Sequence, residues 1–180
     1  VASRISGLTK RLIELHASML NVNDVPNKGS VFWFTITFKQ TNIHLNNNNN
    51  NLEAGLKINV LVVDDNQINR LLINKILKRW GANADFAENG VEAIHKIENN
   101  RNYNVVLMDI HMPQMGGLEA TQIIRAMPDL YFQQLPIIAL TASMQRSEMS
   151  EMDNAGMNDY ILKPFDPKSL YDKLSRYQHQ

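Results

Sequence analysis

No cysteine occurs among the 180 residues. That absence excludes a disulfide framework, a thiolate zinc site and a thiol nucleophile. An excess of one charge is missing too, since 18 lysines and arginines face 18 aspartates and glutamates. Nucleic-acid binders gather phosphates with a basic field, so no nucleic-acid partner is expected. Long apolar runs are also absent. The longest, such as Val60–Val63 and Val105–Met108, fall far short of the ~20 residues that span a bilayer. Nor does a basic-then-apolar signal segment open at Val1. The chain is therefore expected to be soluble and cytoplasmic, without membrane contact of its own. Its length suits one ordinary domain plus an appendage.

The clearest boundary is the run Asn46–Asn51, preceded by Asn42. Asparagine brings no apolar area to offset the entropy of ordering, so the run reads as a tether. Charge divides unevenly across it: residues 1–51 hold five basic and two acidic side chains, residues 52–180 thirteen and sixteen. The expected division is an N-terminal piece at 1–40, an Asn-rich linker at 41–56 and a domain at 57–180. There is no internal repeat.

The C-terminal part alternates strand and helix signals. Ile58–Val63 is a short β-branched run suited to a strand covered on both faces. From Gln67 the period becomes helical through Ile68, Leu71, Leu72, Lys75, Ile76 and Arg79, and Gly81 ends it. Ala84–Ala87 is a weaker strand, and Asn89 can cap a helix carrying Val91, Ile94 and Ile97. Val105–Asp109 and Ile137–Thr141 are further apolar strands. Leu118–Met127 reads as a helix stopped near Pro128, and Ser143–Ala155 as one terminated by Gly156. Asp159–Leu162 is a short strand, after which Asp166 caps a last helix with Pro167 at its first position. Five βα units imply an α/β doubly wound parallel sheet with helices on both faces. Functional groups in such sheets gather outside the carboxyl ends of the strands.

Four of the five strands deliver a polar group to that edge: Asp64-Asp65, Asp109, Thr141 and Lys163. Taken singly, an Asp there is usually a cap, a Thr a β-former and a Lys a solvated side chain. Together they are harder to dismiss, because three crowded carboxylates repel one another unless a cation or proton sits among them. The histidines (16, 44, 95, 111 and 179) are scattered, which argues against zinc. Clustered carboxylates suit a hard oxygen-seeking ion such as Mg²⁺. With Lys163 and the Thr141 hydroxyl, that ion would cradle a phosphoryl group. Asp109, from the central strand, is the better nucleophile for an acyl phosphate.

The segments LVVDDNQINR (61–70), VVLMDIHMPQMGG (105–117), IIALTAS (137–143) and DYILKPF (159–165), in that order and spacing, resemble a response-regulator receiver domain. The resemblance covers residues 57–178 and shows no departure in its core set. It implies a flavodoxin-like five-stranded sheet of order 2-1-3-4-5. It makes Asp109 the phosphoacceptor, and Asp64 and Asp65 the acidic pair, with Asp65 a direct Mg²⁺ ligand. The His111 backbone carbonyl would complete the protein's share of the metal shell. Lys163, the Thr141 hydroxyl and the Ala142 N–H would hold the phosphoryl oxygens, and a cis peptide at Lys163–Pro164 would aim the lysine inward. Phosphorylation would draw Thr141 toward Asp109 and let Tyr160 rotate. The face of the fourth helix, fifth strand and fifth helix would then repack, and that face could also pair two copies. The implied partner is a histidine kinase or a histidine phosphotransfer protein.

Near the start, TKRLIEL…NKGSVFWFTITF resembles the last helix and final hairpin of a histidine-kinase ATP-binding domain. Leu8–Leu15 has helical spacing, and Val31–Phe38 alternates as a strand. The glycine-rich box expected before that helix is reduced to SRISGL, so nucleotide binding is not expected. The inferred parent is a hybrid histidine kinase, itself open to membrane anchoring. This chain alone is not expected to be a kinase, although self-catalysed phosphotransfer and dephosphorylation at Asp109 are implied. No DNA-binding domain follows Gln180, so direct transcriptional output is not expected. Two other readings share the residues. One is a Mg²⁺-dependent phosphohydrolase, which lacks a second catalytic acid beside Asp109 and a capping insertion. The other is a binding module, either a flavin site on this topology or a receiver-like module acting without phosphate. The intact acidic pair, Asp109 and Lys163 argue against that last version.

Overall fold

The computed structural model describes residues 21–25, 29–33, 35 and 55–178. Two compact units divide the chain, Val1–Asn48 and Asn49–Gln180. In the first, β1 (Asn21–Val25) and β2 (Gly29–Trp33) pair antiparallel, with Val25 opposite Gly29 and Asn21 opposite Trp33. The strand expected at Val31–Phe38 thus starts earlier, and Thr35 lies outside any strand. Residues 34 and 36–38 of that expected strand lie outside the described residues. The helix expected at Leu8–Leu15 and the asparagine run lie outside the described residues.

The second unit holds β3 (Asn59–Val63), α1 (Gln67–Arg79), β4 (Asn83–Ala87), α2 (Gly90–Asn99), β5 (Val105–Asp109), α3 (Gly117–Ala126), α4 (Leu130–Gln134), β6 (Ile137–Thr141), α5 (Arg146–Ala155), β7 (Asp159–Leu162) and α6 (Pro167–Leu174). The sheet is parallel throughout, in the order β4-β3-β5-β6-β7. That is the expected 2-1-3-4-5. β5 and β6 are buried along their whole length, as strands covered on both faces must be. Alternate residues feed two cores. Leu61, Val63, Val106 and Met108 meet Ala93, Ile97 and Ile124 from α2 and α3. Val60, Val62, Leu107 and Leu140 meet Ile73, Leu77, Leu170 and Leu174 from α1 and α6.

Capping follows the sequence closely. Asn66, Asn89 and Asp166 each accept an N–H of the first turn, from Ile68, Glu92 and Ser169, at 2.8–2.9 Å. Gly156 closes α5 at φ 87°, a left-handed conformation that suits glycine. Three readings shift. α5 begins at Arg146 rather than Ser143, because Ser143 N–H donates to the Thr141 hydroxyl and Ser143 Oγ to Glu148. Those local bonds hold residue 143 outside the helix. α4 was not expected; Asp129 caps it through Tyr131 N–H, and Phe132 anchors it in the core. On α1, the stripe containing Ile68, Leu71 and Leu72 faces solvent, 74%, 59% and 46% exposed, while Ile73, Leu77 and Trp80 turn inward. Trp80 packs edge-on against Tyr171 at 5.2 Å.

Candidate phosphoacceptor and metal site

A wholly parallel sheet points every strand's carboxyl end the same way, so the groups following β3, β5, β6 and β7 share one edge. Asp64 follows β3 and is fully buried. Its carboxylate accepts from Asn66 N–H at 2.9 Å, from the Asn69 amide at 3.0 and 3.1 Å, and from Lys163 Nζ at 2.8 Å. Asp109, the last residue of β5, sits 2.5 Å from Lys163 Nζ through Oδ2. Among the described residues its Oδ1 has only a long contact with His111 N–H, 3.3 Å. Asp65 is exposed at the rim, as are His111 and Ala142. The sequence-derived Asp64, Asp65, Asp109 and Lys163 are thus brought together.

Carboxylate oxygens of Asp64, Asp65 and Asp109 lie within 4.8 Å of one another. At an effective dielectric of about 20, each pair of charges at that range repels by roughly 3 kcal/mol. One lysine cannot neutralise three carboxylates. Burial pushes the Asp109 carboxyl above its ordinary value, and Asp64's charge adds to this, against the pull of Lys163. For Lys163 burial works downward, but Asp109 and Asp64 together outweigh it and leave the ammonium raised. The lysine is therefore charged, and the pocket keeps an excess of negative charge. An all-oxygen donor set with that excess fits Mg²⁺.

Thr141 is buried at the end of β6, but its hydroxyl serves a local turn, donating to Ser143 C=O at 3.0 Å. No hydrogen bond joins it to Asp109 among the described residues. Tyr160 is half-buried, with Lys173 Nζ 5.1 Å from its ring centroid and 2.5 Å from Asp159 Oδ1. The peptide Lys163–Pro164 is cis. Gly117 is required by close approach: a Cβ there would overlap the Asp109 carbonyl oxygen.

Sequence reasoning left Asn69, Arg70 and Glu88 unassigned. Asn69 grips the Asp64 carboxylate, while Arg70 donates to the Asp64 carbonyl at 2.6 Å and to Glu88 Oε1 at 2.5 Å. The signal was present in DDNQINR, one helical turn beyond the acidic pair, where side chains at the start of α1 reach back to the strand end.

Residues 60–175 match the family described as the response regulator receiver domain. The chain belongs to that family. It is a receiver domain of two-component phosphorelay signalling. The receiver domain of sensor histidine kinase PA1611 from Pseudomonas aeruginosa PAO1, solved with a magnesium ion in its active-site cleft, is 34% identical. The match has a TM-score of 0.63 and covers 69% of this chain and 99% of that one. The Saccharomyces cerevisiae receiver domain of Ssk1, co-crystallised with the histidine phosphotransfer signaling protein Ypd1, gives 30% identity and a TM-score of 0.62. That match covers 69% of this chain and 90% of the other. The autoinducer 2 sensor kinase/phosphatase LuxQ of Vibrio vulnificus is 30% identical over 178 residues, 96% of this chain and 20% of LuxQ. The chain spans 8% to 20% of the length of the curated histidine kinases it resembles. No helix among the described residues is long and apolar enough to cross a membrane.

Proposed function

We propose that the receiver accepts a phosphoryl group from a phosphohistidine onto Asp109. The observation that carries this is the meeting of buried Asp109 with half-buried Lys163 and with Asp65 at the exposed rim, in a span that matches the receiver family. A carboxylate oxygen of Asp109 forms the new O–P bond while the donor's N–P bond breaks, and the electron pair returns to the imidazole. Lys163 holds its charge beside Asp109 and is placed to meet the incoming phosphoryl oxygens. The Asp64, Asp65 and Asp109 carboxylates, with the His111 carbonyl, are the groups that would hold Mg²⁺. When bound, that ion neutralises charge on the transferring oxygens. Release of the Thr141 hydroxyl from Ser143 frees it to turn toward a phosphorylated Asp109, with Ala142 N–H beside it. The space it leaves is the one Tyr160 takes up, repacking the α5–β7–α6 face where two copies could join.

The exposed Ile68, Leu71 and Leu72 stripe on α1 starts four residues after Asp64. An apolar patch beside a site that must meet another protein's histidine supports docking of a phosphohistidine-bearing kinase or phosphotransfer protein there. The alignment with LuxQ across 178 residues and the β1–β2 hairpin support an origin in a hybrid histidine kinase. In that division 1–40 is the end of an ATP-binding domain, 41–56 the linker and 57–180 the receiver, on the cytoplasmic side.

The test is to incubate the chain with acetyl phosphate and Mg²⁺ and record its intact mass beside Asp109→Asn and a metal-free control. A labile gain of one phosphate, lost in both controls, is the expected result. A folded protein that gains nothing under any condition would retire the phosphoacceptor mechanism and leave an interaction module.

A further inference from the structure

We infer that Arg70 is a positioning residue for Asp65, and that it thereby sets the receiver's affinity for Mg²⁺. The inference rests on the site assignment above. Asp65 is exposed, and its carboxylate makes no hydrogen bond or ion pair with any described residue. The backbone that carries it therefore sets where its Cα lies and where its Cα–Cβ bond points, leaving only the rotamer free. The decisive peptide is the one joining Asp64 to Asp65, and its Asp64 side is held from the first turns of α1. Asn69 grips the Asp64 carboxylate. Arg70 Nη1 donates to the Asp64 carbonyl oxygen of that same peptide at 2.6 Å, and Nη2 reaches Glu88 Oε1 at 2.5 Å.

The guanidinium fork spans two loops with two hydrogen bonds in one plane, which a lysine ammonium does not reproduce. The Arg70 side chain is 13% exposed and Glu88 66%. One end of the brace is thus enclosed, and its partner lies at the surface. The second loop is tied onward, since Gly90 N–H donates to Met115 C=O at 3.1 Å, in the loop that follows Asp109. Arg70 accordingly links the backbone of the acidic pair to the backbone beyond the phosphoacceptor. Ligands held in place before the ion arrives bind it without the cost of ordering them.

Charge and position make opposite predictions. Arg70 is a cation close to a cation site, so on charge alone its removal should tighten Mg²⁺ binding. If its role is to hold the Asp64–Asp65 peptide, removal weakens binding, and losses of about tenfold are typical when groups orienting metal ligands are removed.

The experiment is calorimetric titration of the full chain with Mg²⁺, without phosphodonor, on wild type, Arg70→Lys, Arg70→Gln and Glu88→Gln. Thermal unfolding in metal-free buffer is measured alongside. Arg70→Gln is expected to raise the Mg²⁺ Kd about tenfold, and Arg70→Lys, which keeps the charge but loses the fork, by a comparable factor. Glu88→Gln keeps an acceptor for Nη2 and is expected to shift Kd less than either. An unchanged or tighter Kd in folded Arg70→Lys would overturn the inference, even if Tm falls, because that pattern is a stabilising role only. Arg70→Lys decides the matter should Arg70→Gln fail to fold. If wild type itself binds no Mg²⁺, the metal assignment falls and this inference with it. If wild type binds and the Arg70 variants match it, only the inference falls.

Discussion

The two edges of the parallel sheet solve opposite problems. At the carboxyl edge, buried Asp64 and Asp109 crowd around one lysine, with Asp65 at the rim, and the group stays net negative. At the amino edge the polar groups are mostly uncharged and satisfied. Asn59 N–H donates to Asn104 Oδ1 at 2.8 Å, Asn59 Nδ2 to Asn102 C=O at 2.9 Å, and Asn83 Nδ2 to Asn59 Oδ1 at 2.9 Å. One cation there, Arg125, is shared among neutral oxygens, the carbonyls of Gly156, Phe132 and Leu135 and the amide of Asn158, while Asp159 at the start of β7 is matched by Lys173. A network whose donors and acceptors are satisfied within the protein fixes a structure whatever ligand is present. An unbalanced one is costly alone and is relieved by something from solution, which is what a switch requires.

The comparison can be broken where the carboxyl edge depends on tight packing. Gly117→Ala forces a methyl group against the Asp109 carbonyl and Met108, and should cost about 3 kcal/mol in urea unfolding while also displacing Asp109. A variant of unchanged stability with a full rate of labelling by acetyl phosphate would show that this edge is more pliant than its geometry implies.

It is sharpened at the other edge. Arg125→Met strands three carbonyls and an asparagine side chain, and an expected loss of about 2–3 kcal/mol is measurable by the same unfolding. Labelling of Asp109 at a temperature where the variant is folded should be unaffected. Slower labelling without lost stability would mean that the edges are not separable.

A smaller effect is expected at Tyr103, on the amino-edge side. Burial first, then its 2.7 Å hydrogen bond to Asp85, push its phenol from 10.0 up to about 12. The raised value means the fold favours the neutral phenol. Its contribution is therefore whole below pH 10.0 and is lost as pH rises through about 12. A spectrophotometric titration read against Tyr103→Phe should show one late-ionising tyrosine, brought earlier by Asp85→Asn. At neutral pH the Asp85 change should move stability by less than about 1 kcal/mol.

The strands, their caps and the acidic edge were legible because each rests on local chemistry. A fully apolar run of five residues, an Asn or Asp at a helix start and a Gly after a helix end mean the same thing in most settings. α4 was not legible, since five residues carry too short a period, although Asp129 before an apolar trio was a usable hint. The start of α5 was misplaced because Ser143 is claimed by Thr141 and Glu148, partners visible only once the loop is folded.

The sequence by itself determined the alternation of strands and helices, the arrival of Asp64, Asp65, Asp109, Thr141 and Lys163 at one edge, and the all-oxygen character of that cluster. Tertiary structure alone decided which side of α1 is buried. Ile68, Leu71 and Leu72 obey the helical period as well as Ile73 and Leu77 do, and only the direction of the crossover onto the sheet selects between them. It also decided that Asn69 holds a carboxylate, that Arg70 holds a backbone carbonyl, and that Thr141's hydroxyl is turned to Ser143 rather than Asp109. The period of a sequence fixes which residues share a face. What that face meets is set by chain segments far away along the sequence.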